Sequence, residues 1–167
     1  ERFFAWPLEE RLKIKVNEFS RGYFPLEQIS HPEGKGVPDL KESFDFGLDI
    51  PLDDPDVIAG KLHAPNTWPD LEQFREPVET YFEAVHTFGF NLLPAFASAL
   101  NLPHDFFQKL YQPRPIALAR LIRYPPRPAD SPDRQLAAAA HTDYGFMTIL
   151  AQDDTGGLEL KPRDSDW

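Results

Sequence analysis

His141-Thr142-Asp143-Tyr144-Gly145-Phe146-Met147-Thr148-Ile149-Leu150 places a histidine and a carboxylate two residues apart at the head of an apolar run. In extended backbone, side chains repeat with period two, so His141 and Asp143 leave the same face with roots roughly 6–7 Å apart while Thr142 points away. Both side chains then reach a common point, where an imidazole nitrogen and a carboxylate oxygen each bind a divalent ion at roughly 2.0–2.2 Å. Completed by one further histidine, this donor set is the two-histidine, one-carboxylate triad that suits non-haem Fe(II) and leaves coordination positions open for O2 and a co-substrate. A His-x-Asp triplet alone is common, so its neighbours decide.

Upstream stands Leu118-Ala119-Arg120-Leu121-Ile122-Arg123-Tyr124-Pro125-Pro126, and downstream Gln152-Asp153-Asp154-Thr155-Gly156-Gly157-Leu158-Glu159-Leu160. Together with Phe3-Phe4-Ala5-Trp6-Pro7-Leu8-Glu9-Glu10, Arg21-Gly22-Tyr23-Phe24-Pro25, Lys41-Glu42-Ser43-Phe44-Asp45-Phe46-Gly47 and Pro65-Asn66-Thr67-Trp68-Pro69, the chain resembles the isopenicillin N synthase-like group of Fe(II)/2-oxoglutarate-dependent dioxygenases along nearly its whole length. The resemblance implies that His141 and Asp143 are the first metal histidine and the metal carboxylate, and that Tyr124 reaches the distal carboxylate of 2-oxoglutarate. It implies Fe(II), 2-oxoglutarate and O2 as cofactor and co-substrates, and oxidation of a small molecule, usually hydroxylation. The family's second metal histidine and the arginine of its Arg-x-Ser lie further along, and no residue here matches either. The expectation is therefore the central part of a single dioxygenase domain spanning 1–167. Within the same fold, an oxidase that uses no 2-oxoglutarate is the alternative, and outside it a binding protein or inactive fragment.

Composition is compatible with this. With 167 residues, 41% hydrophobic and 13% aromatic, the chain has enough apolar material for one soluble core. Seventeen basic residues against 27 acidic ones give a net charge of -10, which repels phosphate backbones and anionic lipid rather than gathering them, so neither nucleic acid nor membrane is an expected partner. The absence of cysteine removes disulfides, thiolate zinc sites and cysteine nucleophiles. No apolar run approaches the roughly 20 residues that span a bilayer, and no secretory signal is visible, so the cytoplasm is the default location. The oligomeric state stays open. The sequence begins at Glu1 and its one methionine is Met147, so it reads as lacking its initiator, and the resemblance of its first residues to a region that follows an N-terminal segment in the family implies the middle of a larger enzyme.

Hydrophobic spacing divides the chain into two regions. Residues 1–112 read as mainly helix and loop, with a short helix over 7–15, extended and looped structure over 20–69, and a second short helix over 105–110. Leu71, Phe74, Val78, Phe82, Val85, Gly89, Leu92, Leu93, Phe96 and Leu100 recur at three- and four-residue steps, which predicts an amphipathic helix, or a helix pair bent near Pro94. Residues 113–167 read as the first strands of a core, at 116–124, 136–141, 146–151 and 157–160. One long helix packed on antiparallel strands makes an α+β protein, a double-stranded β-helix or jelly roll that is incomplete in this sequence, with open edges that favour instability or association.

Several residues carry two readings. Tyr124 either contacts the co-substrate or packs its ring and wets its hydroxyl. Arg120 and Arg123, three apart on one strand, point to opposite faces; only one can look into the barrel, and Arg123 either binds an acidic substrate group or is solvated. Asn66 and Trp68 either line the cavity mouth or anchor a loop, and Tyr144 shapes the substrate pocket or is plain surface. Phe146, Ile149 and Leu150 read as core. His86, between Phe82 and Phe90, reads as a boundary residue, and His31, His63 and His104 are not at the family's ligand position. Lys41, Glu42, Asp153 and Asp154 read as solvated.

Overall fold

The computed structural model describes residues 2–26, 38–60, 62–132 and 135–162. Its centre is a strand whose sequence alternates strictly. In Glu42-Ser43-Phe44-Asp45-Phe46-Gly47, Glu42, Phe44 and Phe46 share one face and Ser43, Asp45 and Gly47 the other, and all six residues are buried. This strand, β2 (Glu42–Gly47), lies between β1 (Gly22–Phe24) and β3 (Leu118–Arg123) in an antiparallel sheet of order β1-β2-β3. Its register pairs Tyr23 with Phe44 on one side and Leu121 with Phe44 on the other. β1 opens at Gly22, whose φ of +116° and the carbonyl of Ile14, only 2.5 Å from where a Cβ would stand, demand glycine.

Helices precede and follow the strands along the chain. The chain begins with α1 (Arg2–Ala5) and α2 (Leu8–Leu12), and α3 (Pro55–Ile58) follows β2. The sequence expectation of a helix over 7–15 is met by the shorter α2, and the Asp53-Asp54-Pro55-Asp56 run, expected as loop, starts α3 instead. Asp54 accepts from the Asp56 amide at 2.9 Å and Pro55 occupies the first turn, where a missing donor is harmless. The periodic segment is α4 (Arg75–Ala99), one continuous 25-residue helix that contains Pro94 rather than two helices. α5 (Phe106–Leu110) packs against it.

α4 touches two clusters. Its first half sets Phe74, Val78 and Phe82 onto Phe3, Tyr23, Phe44 and Phe46, with Trp68 filling the gap at 5.8 Å from Phe44 and 5.6 Å from Phe46. Its second half buries Leu93 and Ala97 against Phe107, with Phe90, Leu102, Tyr111 and Met147 around them. Gly89 is what lets the chain after Asp143 approach: a Cβ there would stand 3.2 Å from Met147 Cε and 3.3 Å from Ile149 Cδ1. Phe146 joins this contact, its ring centroid 4.5 Å from that of Phe107. Phe146, Ile149 and Leu150, expected in the core, are all exposed to a third or more, Phe146 keeping only its ring contacts.

The strand expectations need correction. Within 113–167, β3 is the single strand among the described residues. Residues 136–141, 146–151 and 157–160 form no ladder with any described segment, because extended backbone becomes a strand only where a neighbouring edge supplies bonding partners. β1 and β2, in turn, arise within 20–69, where turn residues mask the alternation. The described part is thus a three-stranded sheet and a long helix, not a complete jelly roll. No described helix is long and apolar enough to cross a membrane.

Lys41 and Glu42, expected on the surface, are both buried, and Glu42 is 1% exposed. Its carboxylate accepts from Arg11 Nη1 and the Tyr23 hydroxyl at one oxygen and from Arg123 Nη1 at 2.7 Å at the other. Arg11 also donates to Tyr23 at 2.8 Å. Burial pushes the Glu42 carboxyl up, but the bonds from Tyr23 and Arg123 and the charge of Arg11 outweigh it and hold the acid below its ordinary range. Burial, and then the same carboxylate, drive the Tyr23 phenol well above its usual value.

Glu42→Ala should cost the full-length protein about 3–5 kcal/mol in urea unfolding, since it strands the buried Arg11 guanidinium and the Tyr23 phenol. The Glu42 acid is stronger in the native state than in the unfolded chain, so its contribution is present above the ordinary carboxylate range and lost as pH falls below it. Wild-type stability should therefore drop more steeply on acidification than that of Glu42→Gln, measured as urea midpoints at a series of pH values.

Candidate metal centre and its surroundings

The segment carrying His141 and Asp143 is tied down just ahead of them. Leu40 donates its amide to the Leu136 carbonyl at 2.9 Å, Gln135 Nε2 reaches the Pro38 carbonyl at 3.4 Å, and the Ala139 amide donates to Asp39 Oδ1 at 3.0 Å. Asp39 is itself paired with Lys41 at 2.8 Å. From this anchored stretch His141 Nδ1 comes within 2.7 Å of the Ala139 carbonyl. A carbonyl can only accept, so Nδ1 carries the proton and Nε2 is left as the ring's other donor-or-acceptor atom.

Nε2 faces Asp143 Oδ1 at 3.4 Å, with the two side chains 60% and 52% exposed. Two donors each about 2.1 Å from one ion, at the near-right angle that octahedral coordination requires, stand roughly 3 Å or slightly more apart. The pair thus converges as a chelate would need, and the carbonyl on Nδ1 is the outer contact that orients ligating histidines. Convergence comes from local loop geometry, since 141–143 belongs to no strand. Among the described residues no third histidine, cysteine, aspartate or glutamate joins them. His63 is buried with Nε2 at 3.0 Å from the Pro115 carbonyl. His86 stacks on Phe82 at 5.8 Å and meets Phe90 edge-on at 5.1 Å, and burial holds its imidazolium below the ordinary range. His31 lies outside the described residues.

The remaining candidates separate by face. Strand alternation puts Ala119, Leu121 and Arg123 on the core side of β3, and Arg120 and Ile122 on the other, with Tyr124 following on from the strand. Arg123 is engaged by Glu42. Arg120 is held by Asp45 through Nε at 2.8 and 3.0 Å and through Nη2, while Ser43 Oγ donates to the same carboxylate at 3.0 Å. Half-exposed Tyr124 lies within charge range of Asp39 and Arg120; burial first and Asp39 second raise its phenol, and Arg120 opposes them. Tyr144 is 98% exposed. Asn66 uses its whole side-chain amide on Gly47, accepting from its amide at 2.9 Å and donating to its carbonyl at 2.8 Å. Trp68 is a core residue whose Nε1 is 3.4 Å from Asp49 Oδ2. A hollow of about 580 Å³, lined by Leu26, Pro38, Leu40, Pro128 and Gln135, opens beside the anchored stretch, and neither metal candidate lines it.

Comparison with known proteins gives the chain its family. Residues 1–71 match the family described as non-haem dioxygenase in morphine synthesis N-terminal, and residues 115–167 match the 2OG-Fe(II) oxygenase superfamily. The chain belongs to the Fe(II)/2-oxoglutarate oxygenase superfamily, whose members use Fe(II), 2-oxoglutarate and O2 on a jelly-roll scaffold. It is 39% identical over 170 residues to the 2-oxoglutarate-dependent dioxygenase citB of Monascus ruber, covering 96% of this chain and 50% of that protein. Among solved structures it resembles a 2OG-Fe(II) oxygenase family protein from Caulobacter crescentus, with TM-score 0.64 and 31% identity over 78% of this chain and 42% of the other. It also resembles a full-length Neurospora crassa protein solved in complex with alpha-KG, with TM-score 0.63 and 26% identity over 86% of this chain and 45% of the other. The chain spans about half the length of the curated relatives it matches.

Asn66→Ala removes both bonds to Gly47 and should lower stability by about 1–3 kcal/mol in thermal or chemical unfolding of the full-length protein. Metal affinity should be unchanged, which a calorimetric Fe(II) titration under nitrogen would read.

Proposed function

We propose that the protein is a non-haem Fe(II), 2-oxoglutarate-dependent oxygenase that oxidises, most simply by hydroxylation, a small-molecule substrate, and that residues 1–167 form the central part of its single dioxygenase domain. The observation that carries this is the 3.4 Å approach of His141 Nε2 to Asp143 Oδ1, with Nδ1 turned to the Ala139 carbonyl. His141 and Asp143 would hold the metal together with a histidine outside the described residues. When bound, ferrous iron couples the oxidation of 2-oxoglutarate to succinate and CO2 with the oxidation of a substrate C–H bond by O2.

The chain's own contribution is placement. The Ala139 carbonyl keeps His141 in the tautomer whose Nε2 can donate a lone pair, and Asp39 holds the same residue from the other side by accepting from its amide. Tyr124, beyond β3 on the Arg120 side, offers its hydroxyl to the distal carboxylate of 2-oxoglutarate. Tyr144 follows the metal pair and is available to a substrate, whereas Arg123 and Asn66 already serve Glu42 and Gly47, so a substrate contact from either would compete with an existing bond.

Anaerobic titration of Fe(II) and then 2-oxoglutarate into the full-length protein should produce the weak visible metal-to-ligand band of a chelated 2-oxo acid. Asp143→Ala should abolish it. Tyr124→Phe should leave the band but weaken 2-oxoglutarate roughly tenfold, the worth of one hydrogen bond to a carboxylate. A full band in Asp143→Ala sinks the assignment.

A further inference from the structure

We infer that Arg120 is the residue that orients the substrate, and that the substrate is a small apolar molecule, aromatic in the simplest case, bearing a carboxylate. This rests on the oxygenase reading above and assigns its unknown ligand a chemical class. Of the two arginines on β3, Arg123 is committed to Glu42 on the core side. Arg120 stands on the opposite side with Ile122, where Tyr124 follows.

Its anchoring is one-sided. Asp45, buried in the central strand and bonded by Ser43, grips the edge of the guanidinium formed by Nε and Nη2. A guanidinium is a rigid planar fork with donors on more than one edge, so side-on capture by one carboxylate turns Nη1 away from that carboxylate. The side chain is 47% exposed although its base is fixed. Asp45 thus sets the direction of the cation and leaves donors for a second oxyanion. Apolar side chains lie on the same side: the guanidinium carbon is 5.7 Å from the Phe24 ring centroid, and Leu118 and Ile122 on the same face are exposed. Asp143 and Tyr124 lie within charge range of Arg120, which puts it on the side of the proposed metal pair. A cation with preset direction amid apolar side chains selects a ligand with an anionic head and an apolar body.

The full-length protein, loaded with Zn(II) in place of iron and saturated with 2-oxoglutarate so that the co-substrate's own carboxylate sites are filled, should be titrated with benzoate and with benzamide, its neutral analogue. Ligand-observed NMR should show benzoate binding at least roughly tenfold more tightly to wild type. Arg120→Gln should erase that preference and Arg120→Lys should keep part of it. If Arg120→Gln fails to fold because Asp45 is left unpaired, the double variant Asp45→Asn/Arg120→Gln carries the same comparison without a stranded charge. Wild type binding both probes alike, or neither, overturns the inference, as does an undiminished preference in the glutamine variants. Loss of 2-oxoglutarate affinity in Arg120→Gln would assign the arginine to the co-substrate and overturn it too. Failure of the oxygenase reading itself shows separately, as a missing Fe(II)/2-oxoglutarate band in wild type.

Discussion

The carboxylate of Glu42 is the point at which separate parts of the chain are obliged to meet. It lies on the central strand with almost no exposure, and it is tolerable there only because Arg11 arrives from α2, Tyr23 from β1 and Arg123 from β3. An unpaired buried carboxylate costs several kcal/mol, and Arg11 and Tyr23, buried beside it, would be costly without it, whereas half-exposed Arg123 keeps access to water. The aromatic core of Phe3, Phe44, Phe46 and Phe74 supplies bulk attraction, which is indifferent to register. The ionic knot is not indifferent: a one-residue slip of β3 against β2 would move Arg123 to the far side of the sheet and leave Glu42 facing Ile122.

The same alternation that gives Arg123 to the core hands Arg120 to the other side, where the chemistry is proposed to occur. The two faces of one short strand thus have different duties, one holding the sheet together and the other supplying Arg120. Both arginines use a carboxylate from β2 as partner, Glu42 inward and Asp45 outward. The central strand thus joins two buried acids of opposite direction to Phe44 and Phe46, whose burial supplies the attraction while the acids fix which arginine lies on which face.

The proposed metal pair is legible in the sequence because its signal is local: two residues apart, His141 and Asp143 can converge, and they do so without the strand that the spacing suggests. α4 is legible because its period runs over many residues, although whether Pro94 divides it depends on packing that the pattern does not contain. Glu42 reads as solvated in the sequence because burial of a carboxylate depends on partners far along the chain, Arg123 lying 81 positions away. That Arg120 and Arg123 face opposite ways follows from period two, but which one faces the core requires knowing β3's partner. Strands after β3 are expected from composition, and composition cannot supply the neighbouring edge that turns extended chain into a ladder. Asn66 shows a different gap: a side-chain amide copying a backbone partner for Gly47 leaves no trace in the spacing.

The stretch bearing His141 and Asp143 is moored at both ends, by Pro38 to Leu40 and Asp39 before it and by Gly89 of α4 after it. Between these moorings lie the residues from Ala139 to Met147, the proposed ligands among them. Fixing a free residue's backbone costs about 1–2 kcal/mol, so most of the conformational entropy of closing a chelate has been surrendered during folding. Affinity at the proposed metal pair would then be a property of two distant moorings as much as of the two side chains, and a bulkier residue at position 89 would disturb the pair without touching either one.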